Sequence, residues 1–304
     1  MVSPSRWQSG LLDFPYLLLV LTTLFWGGNA VAGKFAVGQI DPLLLTFFRW
    51  LFGALCFAWL AKSHITRDWP VLRQHLWVLL GLGMVGFTLF NLLLYSGLQY
   101  TSAINVTIEQ ASIPLLILLL NRCFFAQAIV KAQWLALVLA TVGVVITVSR
   151  GDPVSLLQGQ LNRGDGMMVL ACVCYAAYSV GLRYKPDVHW SGVMLLMACG
   201  ALLLCSPVVV YQFFNNGLYA PTPTGWVVVV YAVVFPTVCA QLFYLRAVSL
   251  IGSNRAGLFI NLVPVFAAVL AVLLLAERLH FYHLVGFSLV LGGIALSERT
   301  SRSE

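Results

Sequence analysis

Ten long apolar runs separated by short polar connections restrict this chain more than any other feature of its sequence. They are Tyr16–Val37, Leu43–Ala61, Leu76–Leu98, Ser102–Phe125, Gln133–Val148, Gly166–Tyr184, Ser191–Phe214, Gly225–Leu245, Asn254–Leu275 and Phe281–Ser297. A helix crosses the hydrocarbon of a bilayer with ~17–25 mostly apolar residues. Backbone groups in lipid must pair among themselves, so a crossing is a helix or part of a closed barrel. The two-residue alternation of a barrel strand is missing, so an all-α integral membrane fold of ten transmembrane helices is expected. Of 304 residues, 61% are hydrophobic and 9% charged. Soluble domains average about 45–50% and ~25%. A water-soluble globule cannot hide that excess, so lipid is the expected solvent.

Charge then reports topology rather than nucleic-acid binding, although the formal charge is +7. With the N-terminus inside, Arg6, Lys62, Arg67, Arg73, Arg122, Lys131, Arg183, Lys185, Arg246, Arg255, Arg299 and Arg302 face the cytoplasm. Lys34, Arg150, Arg163 and Arg278 face out, a bias of twelve to four. Both termini are therefore expected in the cytoplasm of a bacterial inner (plasma) membrane protein. Ala30-Val31-Ala32 has the look of a signal-peptidase site. Its segment has a counterpart later in the chain, so the first run is read as a permanent helix.

That counterpart belongs to an internal repeat. Trp26 to Phe35 aligns with Tyr175 to Tyr184: an aromatic residue, small residues, then a cation and an aromatic. A shift of 150 residues matches Pro114 with Pro264, Asn91 with Gln241, Gln127 with Glu277 and Gly143 with Gly293. Five spans in each half is an odd number, so the second half enters the membrane from the opposite side. The expected architecture is two inverted five-helix repeats, residues 1–149 and 166–304, joined by a linker at 150–165. Inverted halves can rock about a midplane site and expose it to each side in turn.

The same residues carry a family likeness. Asn261-Leu262-Val263-Pro264, Glu277-Arg278-Leu279, Gly286 and Gly292-Gly293 resemble the closing helices of the EamA-type exporters of the drug/metabolite transporter superfamily. Phe25-Trp26-Gly27-Gly28-Asn29, Lys34 and Phe48-Arg49 resemble their opening helices. Gln127 departs from the pattern, since the family often has glutamate there; this weakens Glu277 as one of a symmetric pair. The resemblance implies export of small metabolites, amino acids foremost, and is most like that to bacterial aromatic amino-acid exporters.

Apart from the cations at the cytoplasmic span ends, three charges lie within spans: Lys34, Arg49 and Glu109. A charge on a lipid-facing helix centre costs ~2.5–3.5 kcal/mol, so these should face protein or water. Glu109 is expected to neutralise Arg49 or Lys34; a structural ion network and a substrate or proton site both remain open. The fourth span is unusually polar, with Asn105, Thr107, Glu109, Gln110 and Ser112 before Pro114, which frees a carbonyl one turn earlier. Interhelical glue and pore lining are equal readings of it.

The candidate substrate-binding set is Trp26, Asn29, Asn91, Tyr95, Glu109, Tyr175, Tyr178, Ser179, Gln241 and Tyr244. Rings would stack on an apolar or aromatic side chain while amides meet a carboxylate and ammonium. Each aromatic alone is more often packing than ligand contact. His64, His75, His189, His280 and His283 are read as interfacial and the seven cysteines as packing thiols, so no metal or cofactor is expected. The expected partners are a small-molecule substrate and the bilayer, not nucleic acid, and a monomer suffices. A nucleotide-sugar carrier or lipid-linked sugar flippase is the allied alternative. A receptor or scaffold leaves the repeat unexplained. An intramembrane enzyme needs a nucleophile–base pair, a metal cluster or paired carboxylates, none of which the sequence displays.

Overall fold

Each apolar run forms a helix. The computed structural model describes residues 13–157, 161–215, 217 and 220–301. Arg6 and Arg302 lie outside this range, and the side chains of Asn254 and Arg299 outside the described set. The helices are α1 (Pro15–Phe35), α2 (Pro42–Ala61), α3 (Ile65–Gly97), α4 (Ala103–Phe125), α5 (Lys131–Val148), α6 (Arg163–Tyr184), α7 (Trp190–Asn215), α8 (Pro223–Ile251), α9 (Arg255–Leu275) and α10 (Phe281–Ser301); among the described residues the first nine are long and apolar enough to span a bilayer, and α10 is apolar over the shorter stretch Phe281–Ser297. Among the described residues no strand occurs. α1 begins on what is here termed the near side and ends on the far side; successive spans alternate.

Helix starts follow from local chemistry. Asp41 accepts from the Leu43 and Leu44 N–H groups, with Pro42 at the first helical position of α2. Ser102, Asn162 and Thr222 cap α4, α6 and α8 in the same way. α3 begins earlier than its apolar run, which starts at Leu76. Residues Ile65–Leu72 form an amphipathic helix too polar to read as lipid-crossing. Its buried Asp68 accepts from the His189 N–H at 3.1 Å and pairs with Arg67 at 2.9 Å.

Packing obeys the repeat. α1 lies against α8 and α9, as α6 lies against α3 and α4. The pairs α2–α7, α4–α9 and α5–α10 map onto themselves when the halves are exchanged. Local irregularities match too. π-helical segments interrupt α3 at Met84–Leu89 and α8 at Val233–Cys239. Ala126 and Ala276, both at φ 52° and ending α4 and α9, are equivalents in the two halves. α4 breaks at Ser112 just before Pro114, and α9 has a 3-10 turn at Ile260–Leu262 just before Pro264. With five crossings per half, equivalent helices run in opposite directions: the repeat is inverted.

Backbone contact sets one crossing. A Cβ on Gly83 of α3 would fall on the Met197 carbonyl of α7, and one on Gly200 of α7 would fall on the Leu80 carbonyl. Only glycine at both places lets these helices approach so closely.

A polar lattice ties the far side. Lys34 Nζ donates to the carbonyls of Leu98 at 2.8 Å and Thr101 at 2.6 Å, and the Thr101 hydroxyl donates to Asp165 Oδ1. Asn162 reaches the Tyr100 carbonyl at 3.0 Å, and the Thr222 N–H reaches the Gln39 carbonyl at 3.0 Å. Glu277 accepts from the Ala103 N–H at 2.8 Å and the Ile104 N–H at 3.0 Å, two donors that a helix start leaves unpaired. Glu277→Ala is therefore expected to cost about 1.5–3 kcal/mol, the range for hydrogen bonds to a charged group. The measurement is the melting temperature in detergent; no change would mean that this cap contributes nothing.

Candidate functional site

A cavity of about 470 Å³ lies between the halves at mid-span. Trp26, Asn29, Asn91, Tyr175, Tyr178, Ser179, Gln241 and Tyr244 line it, along with Arg49. Its lining continues through Phe57, Ile117, Leu182, Met194 and Ile260 toward the near side. The far-side lattice closes the other end.

Aromatic rings make two walls. Trp26 and Tyr244 form one, their centroids 5.6 Å apart. On the other, Tyr175 lies 5.4 Å from Tyr178 and 4.9 Å from Phe90, and Trp50 stacks on Phe87 at 4.0 Å. The π-helical segments hold these walls. Widening of the helix exposes the Phe87 carbonyl, which accepts from Trp50 Nε1 at 3.1 Å and Asn91 Nδ2 at 2.7 Å. In α8 the Pro236 carbonyl accepts from Trp26 Nε1 at 3.1 Å. Such π-helical turns gather at functional sites because they displace backbone groups from the regular ladder.

Arg49 sits at the centre and is 7% exposed. Its Nε donates to Thr237 Oγ1 at 2.9 Å. Nη1 faces Asn29 Oδ1 at 2.9 Å, Asn91 Oδ1 at 2.8 Å and the Tyr95 hydroxyl at 2.6 Å. The Tyr95 hydroxyl donates in turn to Asn29 Oδ1 at 2.9 Å. Every one of these acceptors is neutral, and Nη2 makes no hydrogen bond to the protein among the described residues. The guanidinium is thus oriented but not neutralised, with one N–H pair left for the cavity.

The expected pairing of Glu109 with Arg49 or Lys34 does not form. Successive helical residues turn by about 100°. Gln110 accordingly lines the cavity, while Glu109 is fully buried against α6. The Cys172 thiol of α6 donates to the Glu109 carbonyl at 3.4 Å. Lys34 is spent on the far-side carbonyls. Tyr95 lies behind the cavity wall, supporting Arg49. His283, expected at the interface, is instead 2% exposed, and its Nε2 lies 3.0 Å from Asn105 Oδ1.

Sequence reasoning passed over Thr237, Trp50, Phe87 and Phe90, all in the cavity wall. Thr237 carried a signal: it precedes Gln241 by four residues and Tyr244 by seven, the spacing of one helical face. The aromatic residues carried none that separates lining from packing.

Comparisons with known proteins agree with this architecture. A family model described as the EamA-like transporter family matches residues 13–149 and again 162–299, once per half. A protein described as an uncharacterized transporter, YyaM of Bacillus subtilis (strain 168), is 27% identical over 285 residues, covering 92% of each chain. An uncharacterized transporter of Archaeoglobus fulgidus is 26% identical over 288 residues, 93% of this chain and 96% of its own. One solved crystal structure superposes with a TM-score of 0.63 over 96% of this chain and 98% of that one; at 20% identity it speaks for the fold alone. Duplicated halves, lipid-facing helices and a midplane cavity thus meet a family match over nearly the whole chain: it belongs to the EamA-like transporter family and is a multi-pass membrane transporter.

Proposed function

We propose that this transporter exports small amphipathic carboxylates from the cytoplasm, foremost amino acids with aromatic or other apolar side chains. The observation that carries this reading is Arg49, a buried cation whose neutral partners leave Nη2 free toward aromatic walls. Burying a charge costs several kcal/mol unless an opposite charge arrives. A substrate carboxylate supplies one, and its side chain fills the space between Trp26, Tyr244, Tyr175 and Tyr178. Asn29, Asn91, Ser179 and Gln241 offer polar contacts, while Tyr95 positions the arginine. A volume of about 470 Å³ suits one small molecule.

The rocking units are residues 1–149 and 166–304, with 150–165 as connection. The near side is the cytoplasmic face of the inner membrane and holds both termini, so the cavity described here takes up substrate from the cytoplasm. One subunit suffices for this cycle.

Counterflow in proteoliposomes tests the reading. Liposomes loaded with phenylalanine, tyrosine or leucine are expected to exchange labelled substrate. Carboxamide and decarboxylated analogues should exchange at least ~10-fold more slowly, since one charge-assisted hydrogen bond is worth ~1.5–3 kcal/mol. Equal rates for acid and amide, or exchange of nucleotide sugars alone, would refute it.

A further inference from the structure

Away from the cavity, two carboxyl groups are buried against each other. Glu109 of α4 and Asp165 of α6 are both 0% exposed. Asn105, one helical turn before Glu109, donates to Asp165, and Cys172, two turns after Asp165, donates to the Glu109 backbone carbonyl, so the two carboxyls lie on the facing sides of α4 and α6. Asp165 Oδ1 accepts from the Thr101 hydroxyl and from Asn105 Nδ2 at 3.4 Å. Its Oδ2 has no donor, and neither oxygen of Glu109 has one. Two ionised carboxylates cannot share such a place, because like charges at contact strongly favour uptake of a proton by one of them. A single proton removes both the repulsion and the missing hydrogen bond.

We propose that Glu109 and Asp165 together bind one proton, carried on Glu109 and donated to Oδ2 of Asp165, which ties α4 to the start of α6 and keeps the far side closed. The surroundings decide which group carries it. The Thr101 and Asn105 donors favour the charged form of Asp165 and Glu109 has no donor, so Asp165 is the carboxylate and Glu109 the acid. The other titratable or charged groups around the pair are already engaged or neutral. Lys34 of α1 is held by carbonyls, and Glu277 beyond α9 caps α4. Cys172 of α6 donates to the Glu109 carbonyl. His283 of α10 is bonded to Asn105, and Tyr282 of α10 lies against Gly151, the residue after Arg150. No cation reaches Glu109 within ion-pair distance among the described residues.

This inference rests on the alternating-access reading for its consequence. Opening the far side parts α4 from α6, admits water and lets Glu109 ionise. The closed state therefore binds one more proton than the open one. By linkage, falling pH favours closure and rising pH favours opening, with the open-to-closed ratio changing about tenfold per pH unit in the titrating range.

Infrared spectroscopy of the full chain in nanodiscs tests the proton without any substrate. The expected result is a protonated carboxylic C=O band at neutral pH, slow to exchange in D₂O and lost in Glu109→Gln. Asp165→Asn, a second variant should the first misfold, is expected to shift or remove the band. Amide-hydrogen exchange of residues 99–106 and 161–168, corrected for intrinsic pH effects, should rise with pH in the native protein and stay level in Glu109→Gln. Absence of the band, an unchanged band in Asp165→Asn, or a band displaced by Na⁺ at constant pH overturns the proposal. A failed counterflow assay with these results intact would instead count against the substrate reading alone.

Discussion

Replacing Arg49 with methionine is expected to reduce substrate counterflow at least ~100-fold while leaving a folded protein, because two charge-assisted hydrogen bonds to a carboxylate together are worth ~3 kcal/mol or more. Methionine keeps much of the arginine volume but offers no donor. It also strands Asn91 Oδ1 and leaves Asn29 Oδ1 with the Tyr95 hydroxyl alone. Part of the effect will therefore appear as lost stability, about 1–3 kcal/mol for an acceptor left without a partner. Lysine separates the two contributions. Arg49→Lys retains the charge but not the planar fork, so it cannot serve four protein acceptors and a carboxylate together. Its expected behaviour is partial recovery of substrate affinity with little recovery of rate. Scintillation-proximity binding beside counterflow reads both quantities. Wild-type flux in Arg49→Met would remove the carboxylate site from the mechanism.

The second large effect concerns folding. Gly83→Val is expected to prevent stable insertion, and Gly83→Ala to lower the melting temperature sharply, because even one methyl lands on the Met197 carbonyl. Overpacking of a close-packed interior costs ~1–3 kcal/mol where side chains can yield, and more where the obstacle is backbone. The damage would spread, because α7 also carries Val193, Met197 and Ala201, which pack with Trp50, Phe57 and Phe87. Gly200→Ala meets the Leu80 carbonyl on the same interface. The double variant should accordingly cost less than the sum of the singles, since the first methyl already separates the helices that the second would strike. Fluorescence-detected size exclusion after heating measures all three. Native melting behaviour in Gly83→Ala would mean that the two helices can part freely.

Much of this molecule is legible in one dimension. Lipid imposes length and apolarity on every crossing, so run lengths expose the helices. Duplication leaves Pro114 and Pro264, or Gln127 and Glu277, at a constant offset. Direction around a helix is less accessible when every face is apolar. Glu109 and Gln110 are neighbours in sequence yet face different partners, one buried against α6 and the other lining the cavity. The π-helical turns conceal more, because each extra residue rotates the remainder of its helix. Asn91 and Tyr95 come after Met84–Leu89, so a regular 3.6-residue period cannot place them relative to the start of α3. The Glu109–Asp165 contact joins α4 to the start of α6 from positions that are not repeat equivalents, and nothing in the spacing announces it.

Glu277 has a repeat mate in Gln127, and the difference between the two has a thermodynamic outcome. In the described state the glutamate anchors the start of α4 with a negative charge. Exchange the postures of the halves, and Gln127, now exposed, would have to perform the same office for α9 on the near side. An amide is the weaker partner for a helix start, whose partial positive charge favours an anion. The two ends of the transport cycle are therefore unequal in free energy, and an unloaded transporter is expected to rest with its mouth toward the near side.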